Sequence, residues 1–92
     1  MSETRDVGGG VTDNGARSRY ELMVDGVTAF AEYRRAGDRI NFHHTLVPDA
    51  IGGRGVGGRL IAAALDDAEA RGLTVQADCW FVAKALAKRA DR

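Results

Sequence analysis

A chain of 92 residues holds one small domain and no more. Its 13 basic and 13 acidic residues cancel, so no strong net field draws it to nucleic acid or to an anionic membrane. No apolar run approaches membrane-spanning length, the first residues lack the apolar centre of a signal peptide, and a lone cysteine excludes an internal disulfide. A cytoplasmic location and a monomer or weak dimer are the matching expectations.

Residues 1–16 contain Gly8-Gly9-Gly10 and Asp13-Asn14-Gly15 with few apolar side chains, and read as a flexible arm. Order is expected over residues 17–92. Arg17–Val24 and Val27–Arg35 flank Asp25-Gly26, the strongest short hairpin signal in the chain. A two-residue loop there pairs Val24 with Val27, Leu22 with Ala29 and Tyr20 with Ala31 on an apolar face, and Arg19 with Glu32 on the other. Gly37-Asp38 suits a second tight turn, pairing Tyr33 with Phe42, Ala31 with His44 and Ala29 with Leu46. That register places His44 and Leu46 on the apolar face and His43 on the opposite one. Pro48 ends the third strand because it cannot donate to a ladder.

Val56, Leu60, Ile61, Ala64, Leu65 and Ala68 recur on one helical face, and Gly72 suits the end of that helix. Leu73–Ala77 reads as a fourth strand. A strand–helix–strand unit crosses over right-handed, so this strand lies parallel to the third. Asp78 caps a last helix over Cys79–Ala90. The expected class is α/β, in the order β-β-β-α-β-α.

A glycine-rich turn runs straight into the first helix: Gly53, Arg54, Gly55, Val56, Gly57, Gly58 and Arg59. Glycines let a ligand approach the backbone, and a helix start offers free N–H groups and partial positive charge. Together they make a phosphate cradle, beside which Arg54 and Arg59 add full charges. Gly53-x-Gly55-x-x-Gly58 also spells the dinucleotide fingerprint. That reading fails because Pro48–Gly52 separates the first glycine from the strand. An antiparallel meander also precedes the turn, and the chain is too short for two mononucleotide halves.

His44-Thr45-Leu46-Val47-Pro48, the turn Gly53-Arg54-Gly55-Val56-Gly57 with Leu60, and Cys79-Trp80-Phe81-Val82 together resemble the small, single-domain branch of the GNAT superfamily of acetyl-CoA-dependent N-acetyltransferases. The resemblance runs from about Tyr20 to Leu86. It implies a minimal GNAT-like fold, with coenzyme A pyrophosphate on the amides of Arg54–Gly58. It further implies pantetheine between the third and fourth strands, which splay apart, and backbone groups near Leu46 and Val47 contacting pantetheine or the thioester carbonyl.

Two side chains are candidates for chemistry. Cys79 stands at a helix start, where a thiol loses its proton more readily, and the resemblance places it near the CoA thiol. His44 is a candidate general base for an attacking amine. The expected reaction moves an acetyl group from acetyl-CoA to an amine, on a small molecule or a protein, by direct attack or through acetyl-Cys79. Full-size members carry helices after their first strand that help build the acceptor site, and the Asp25-Gly26 turn leaves no room for them. A non-catalytic CoA-binding or protein-interaction module is therefore the alternative. No metal site is expected.

Overall fold

Six strands and two helices form over residues 4–90, the span that the computed structural model describes. β1 (Thr4–Gly8), β2 (Val11–Asn14), β3 (Arg19–Val24), β4 (Val27–Ala36) and β5 (Arg39–Leu46) precede α1 (Val56–Ala70). β6 (Thr74–Ala77) and α2 (Trp80–Ala90) follow it. All six strands lie in one sheet in chain order. Neighbours are antiparallel except β5 and β6, which run parallel as the crossover through α1 requires. The class is the expected mixed α/β; two strands are additional.

Those two strands correct the reading of residues 1–16 as a flexible arm. β1 and β2 pair with each other, and β2 pairs with β3 from Val11↔Leu22 to Asn14↔Arg19. The ends of the expected arm and domain, residues 1–3 and 91–92, lie outside the described residues. The hairpin is held by long-range partners. Val11 is fully buried, and Asp13 is buried with its Oδ1 accepting from the Tyr33 hydroxyl over 2.6 Å. Arg5 makes two hydrogen bonds to Asp67 of α1, at 2.7 and 3.2 Å, and a third to Asp13. The Tyr20 hydroxyl and Arg71 complete this polar knot.

The β3–β4 hairpin has the expected register, from Arg19↔Glu32 to Val24↔Val27. Asp25 and Gly26 both have positive φ, 52° and 78°, as a type I′ turn requires. The β4–β5 hairpin begins as expected, with Tyr33 opposite Phe42, and then shifts. Beyond Phe42 the partners are Glu32↔His44, Ala31↔Thr45 and Phe30↔Leu46. One extra residue, His43, sits in β5 as a β-bulge. Because side chains alternate, the extra residue exchanges faces from there on. The expected placement of His44 and Leu46 on the core face is therefore corrected: Thr45 takes that face opposite Ala31, and His44 and Leu46 take the open one.

α1 lays its expected stripe, Val56, Leu60, Ile61, Ala64, Leu65 and Ala68, on the core face of the sheet. Tyr20, Leu22, Ala31, Ile40 and Phe42 meet it there. Gly72, at φ 72°, closes the helix: its N–H donates to Glu69 O, and Leu73 N–H to Ala68 O, each over 3.0 Å. α2 packs beside α1, buries Val82 and binds Arg89 to Asp66 and Glu69. None of the described helices is long and apolar enough to cross a membrane.

Candidate functional site

The β5–β6 ladder runs only from Arg39↔Thr74 to Phe42↔Ala77. Past that point the N–H groups of Asp78 and Cys79 both fold onto Phe42 O, at 3.0 and 3.1 Å. The chain then turns into α2 while β5 continues to Leu46. Among the described residues no strand pairs with β5 beyond Phe42 on that side. A gap therefore opens between the two parallel strands at the bulge.

Cys79 lies at this gap. It precedes the first residue of α2, and its carbonyl accepts from Ala83 N–H over 3.0 Å. It thus holds the capping place expected of Asp78, whose carboxylate instead accepts from Asn41 Nδ2 over 2.9 Å. The Cys79 thiol donates to Thr45 Oγ1 over 3.5 Å. Burial pushes this thiol up; its hydrogen bond with the Thr45 hydroxyl and the nearby backbone of Val82, Phe81 and Thr45 pull it down further. The net result is a thiol more acidic than ordinary. Thr45 was not singled out in the sequence, because only the bulge brings it to the sulfur.

His44 does not join this pair. It is exposed on the open face of the sheet, its ring set edge-on to Phe30 at 6.0 Å. Leu46, 43% exposed, shares that face, and Val47 packs partly buried against the core.

The glycine turn leads to α1 much as expected. A short 3-10 turn, Asp49–Ile51, buries Ile51 and anchors it. Gly53 and Gly55 both need positive φ, 76° and 72°, which only glycine adopts without strain. Gly55 is the N-cap of α1; it offers no side-chain cap, and the first turn carries no acidic residue. The N–H groups of Val56, Gly57 and Gly58 have no intrahelical acceptor there. A Cβ on Gly58 would meet nothing within 4 Å, whereas one on Gly57 would lie 2.5 Å from Phe81 Cζ. Gly57 thus serves the contact between the two helices, and Gly58 leaves its backbone open.

The two arginines are already engaged. Arg54 donates to Asp25 in the β3–β4 turn over 2.5 Å. Arg59 donates to Gly9 O over 3.4 Å. A groove of about 200 Å³ starts at Gly58 and is lined by Trp80, Phe81, Lys84, Ala85 and Lys88. Lys84 Nζ stands 5.3 Å from the Trp80 ring centre. A larger cleft, near 500 Å³, lies by Arg5, Asp13 and Arg71 at the other end of α1. Neither Cys79, Thr45 nor any residue of the glycine turn lines it. No cluster of metal-ligating side chains occurs among the described residues.

The gap between parallel strands, the uncapped glycine-rich start of α1 and the Cys79 thiol all lie in a mixed α/β domain whose architecture is consistent with an acetyltransferase-like fold. The chain belongs to the GCN5-related N-acetyl-transferase family, which matches it over residues 19–91. It is also similar to Protein NATD1 of Mus musculus, 42% identical over 71 residues, covering 74% of this chain and 64% of that protein. Protein NATD1 of Homo sapiens is 42% identical with 63% of its length covered, and that of Xenopus tropicalis 38% with 65%. The match thus covers less than two thirds of those relatives.

Proposed function

We propose that this domain binds acetyl-CoA and transfers its acetyl group to an amine. The observation that carries the reading is the start of α1. Its first turn has neither a side-chain cap nor an acidic residue, and glycines with open backbone surround it. A helix start left in that state suits a pyrophosphate. Backbone N–H groups over Arg54–Gly58 would hold it, with Gly53 and Gly55 shaping the turn. Lys84 and Lys88 border the groove that continues from Gly58, where a further phosphate fits. Leu46 and Val47 follow the bulge, where among the described residues β5 has no partner on the β6 side, so backbone groups facing that side are available to a pantetheine arm.

Acetyl-CoA, when bound, supplies the activated acetyl thioester. The chain's own groups bind, orient and manage protons. In one route the Cys79 thiolate would take the acetyl group on its sulfur as the thioester bond breaks and CoA thiolate leaves, and the amine would then displace that sulfur. In the other, Cys79 stands beside the carbonyl while the amine attacks it directly, CoA thiolate leaves and the amine gives up its proton. His44 is assigned as general base, reached from the open face of the sheet rather than from the core. The acceptor is an amine of a small molecule or a protein.

One observation favours a second reading, a CoA-binding or interaction module without turnover. The two-residue turn Asp25-Gly26 joins β3 directly to β4, with none of the helices that help build the acceptor site in full-size members of the family. Melting curves with acetyl-CoA, CoA and NAD test the cofactor. Ligand at a hundredfold over its dissociation constant adds about 2.7 kcal/mol of stability. A shift with NAD and none with CoA overturns the reading. Acetyl transfer to a panel of amines separates the enzyme from the module.

A further inference from the structure

Thr45 reaches Cys79 by a structural accident that alternation alone would forbid. The side chains of Phe42 and Thr45 are three positions apart, yet both face the core, because His43 is the extra residue of the bulge. From that face Thr45 Oγ1 lies 3.5 Å from Cys79 Sγ. Threonine is β-branched and stiff about χ1, so its hydroxyl is held in place better than that of serine.

We propose that Thr45 is the positioning residue of this site: its hydroxyl orients the Cys79 sulfur and favours its ionised form. This rests on the reading of Cys79 as part of the acetyl-CoA site. As a thiol, Cys79 donates its proton to Thr45 Oγ1. When that proton passes to solvent, the hydroxyl rotates about its C–O bond and donates to the sulfur instead. The second bond is charge-assisted and stronger than the first, so threonine stabilises thiolate over thiol.

The surrounding charges do not replace it. Asp78, next to Cys79, opposes ionisation and is held by Asn41. β5 brings Arg39, at the far end of the ladder opposite Thr74, and His43 and His44, the latter on the open face; β6 brings no titratable side chain. On α2, Lys84 stands over Trp80, Lys88 borders the groove a turn further on, and Arg89 is paired with Asp66 and Glu69 of α1. The leading influences on the sulfur are burial and hydrogen bonds from Thr45, Val82 and Phe81. Only the Thr45 side chain among these can be removed by substitution.

The test is the rate of iodoacetamide alkylation of the apo protein against pH, for wild type, Thr45→Ser and Thr45→Val. Loss of one hydrogen bond to a charged sulfur should move the midpoint up by about one pH unit in Thr45→Val. Alkylation at neutral pH then slows about tenfold, while Thr45→Ser stays within roughly threefold of wild type. Thr45→Ala carries the same reading where valine is not accommodated. An unmoved midpoint in a folded Thr45→Val or Thr45→Ala protein overturns the proposal. So does an equal change in rate at every pH, which marks mere packing. The melting shift with acetyl-CoA is measured alongside in wild type. If it is absent while the midpoint responds to Thr45, the cofactor reading fails and the Thr45–Cys79 pair stands. If it is present and the midpoint is unmoved, the pair fails and the cofactor reading stands.

Discussion

The Tyr20 hydroxyl donates to Asp67 Oδ2 over 2.6 Å and so ties β3 to α1. Arg5 grips the same carboxylate with two N–H groups, and Arg71 lies 3.6 Å away. One side chain therefore joins the first strand, the third strand and the main helix. Arg5 is half exposed, which weakens its share; Asp67 itself is only 10% exposed. Asp67→Asn should lower unfolding stability by about 2 kcal/mol. A urea midpoint equal to wild type would show that the knot is solvated and contributes little.

The same knot sets a pH window. Burial pushes the Asp67 carboxyl up, but hydrogen bonds from Arg5 and Tyr20 pull it below the usual carboxylate range. A lowered folded value means stability that is present above about pH 4 and lost as pH falls through the folded value. Burial, then hydrogen bonds to Asp67 and Asp13, raise the Tyr20 and Tyr33 hydroxyls above the ordinary range. Their contribution is full below about pH 10 and is lost as pH rises through the raised values. The melting temperature should form a plateau with an acid and an alkaline limb. Asp67→Asn should flatten the acid limb; an acid limb unchanged in that variant assigns it to other carboxylates.

Gly58 separates stability from binding. It sits inside the first turn of α1 with open space where a Cβ would go. Gly58→Ala should stabilise the apo protein by up to about 1 kcal/mol, because alanine loses less backbone freedom in a helix. The same methyl would stand where a pyrophosphate approaches the backbone, so the melting shift with acetyl-CoA should shrink. A stabilised variant with an undiminished shift would remove Gly58 from the binding surface.

Gly57 behaves in the opposite way. A Cβ there would stand 2.5 Å from Phe81 Cζ, and that ring, 38% exposed, can swing outward. Gly57→Ala should therefore displace the start of α2 rather than unfold the domain. Combined with Phe81→Ala, its cost should largely vanish, leaving a coupling of about 1 kcal/mol in a double-mutant cycle. Strict additivity of the two changes would mean that the helices already yield at this point.

The sequence displayed the parts of this fold that are decided locally. Asp25-Gly26 needs positive φ at both positions, and the apolar stripe of α1 has the helical period; both can be read without knowing the partner. β1 and β2 cannot. Val11 and Asp13 look like loop residues until Tyr33, Arg71 and α1 surround them. The bulge left no compositional mark either: His43 is neither glycine nor otherwise unusual for a strand. Continuing the alternation past Phe42 therefore put His44 on the wrong face and hid Thr45. In the candidate site, the glycine turn and Cys79 were visible in advance. The partner of Cys79 was not, since a one-residue insertion decided it.

Cys79 occupies the place where helices ordinarily put serine, threonine or aspartate. Its carbonyl accepts from Ala83 N–H, and the backbone of Val82 and Phe81, in the opening turn of α2, draws its thiol toward ionisation. The residue proposed to carry the reactive group thus also opens the helix, and linkage makes the two roles reciprocal. Whatever steadies that turn favours the anion, and forming the anion steadies the turn. The sole tryptophan of the chain, Trp80, stands at the head of the same turn and is 74% exposed. The protein therefore carries its own fluorophore one residue from its thiol. Its emission should register the chemical state of the sulfur with no label attached.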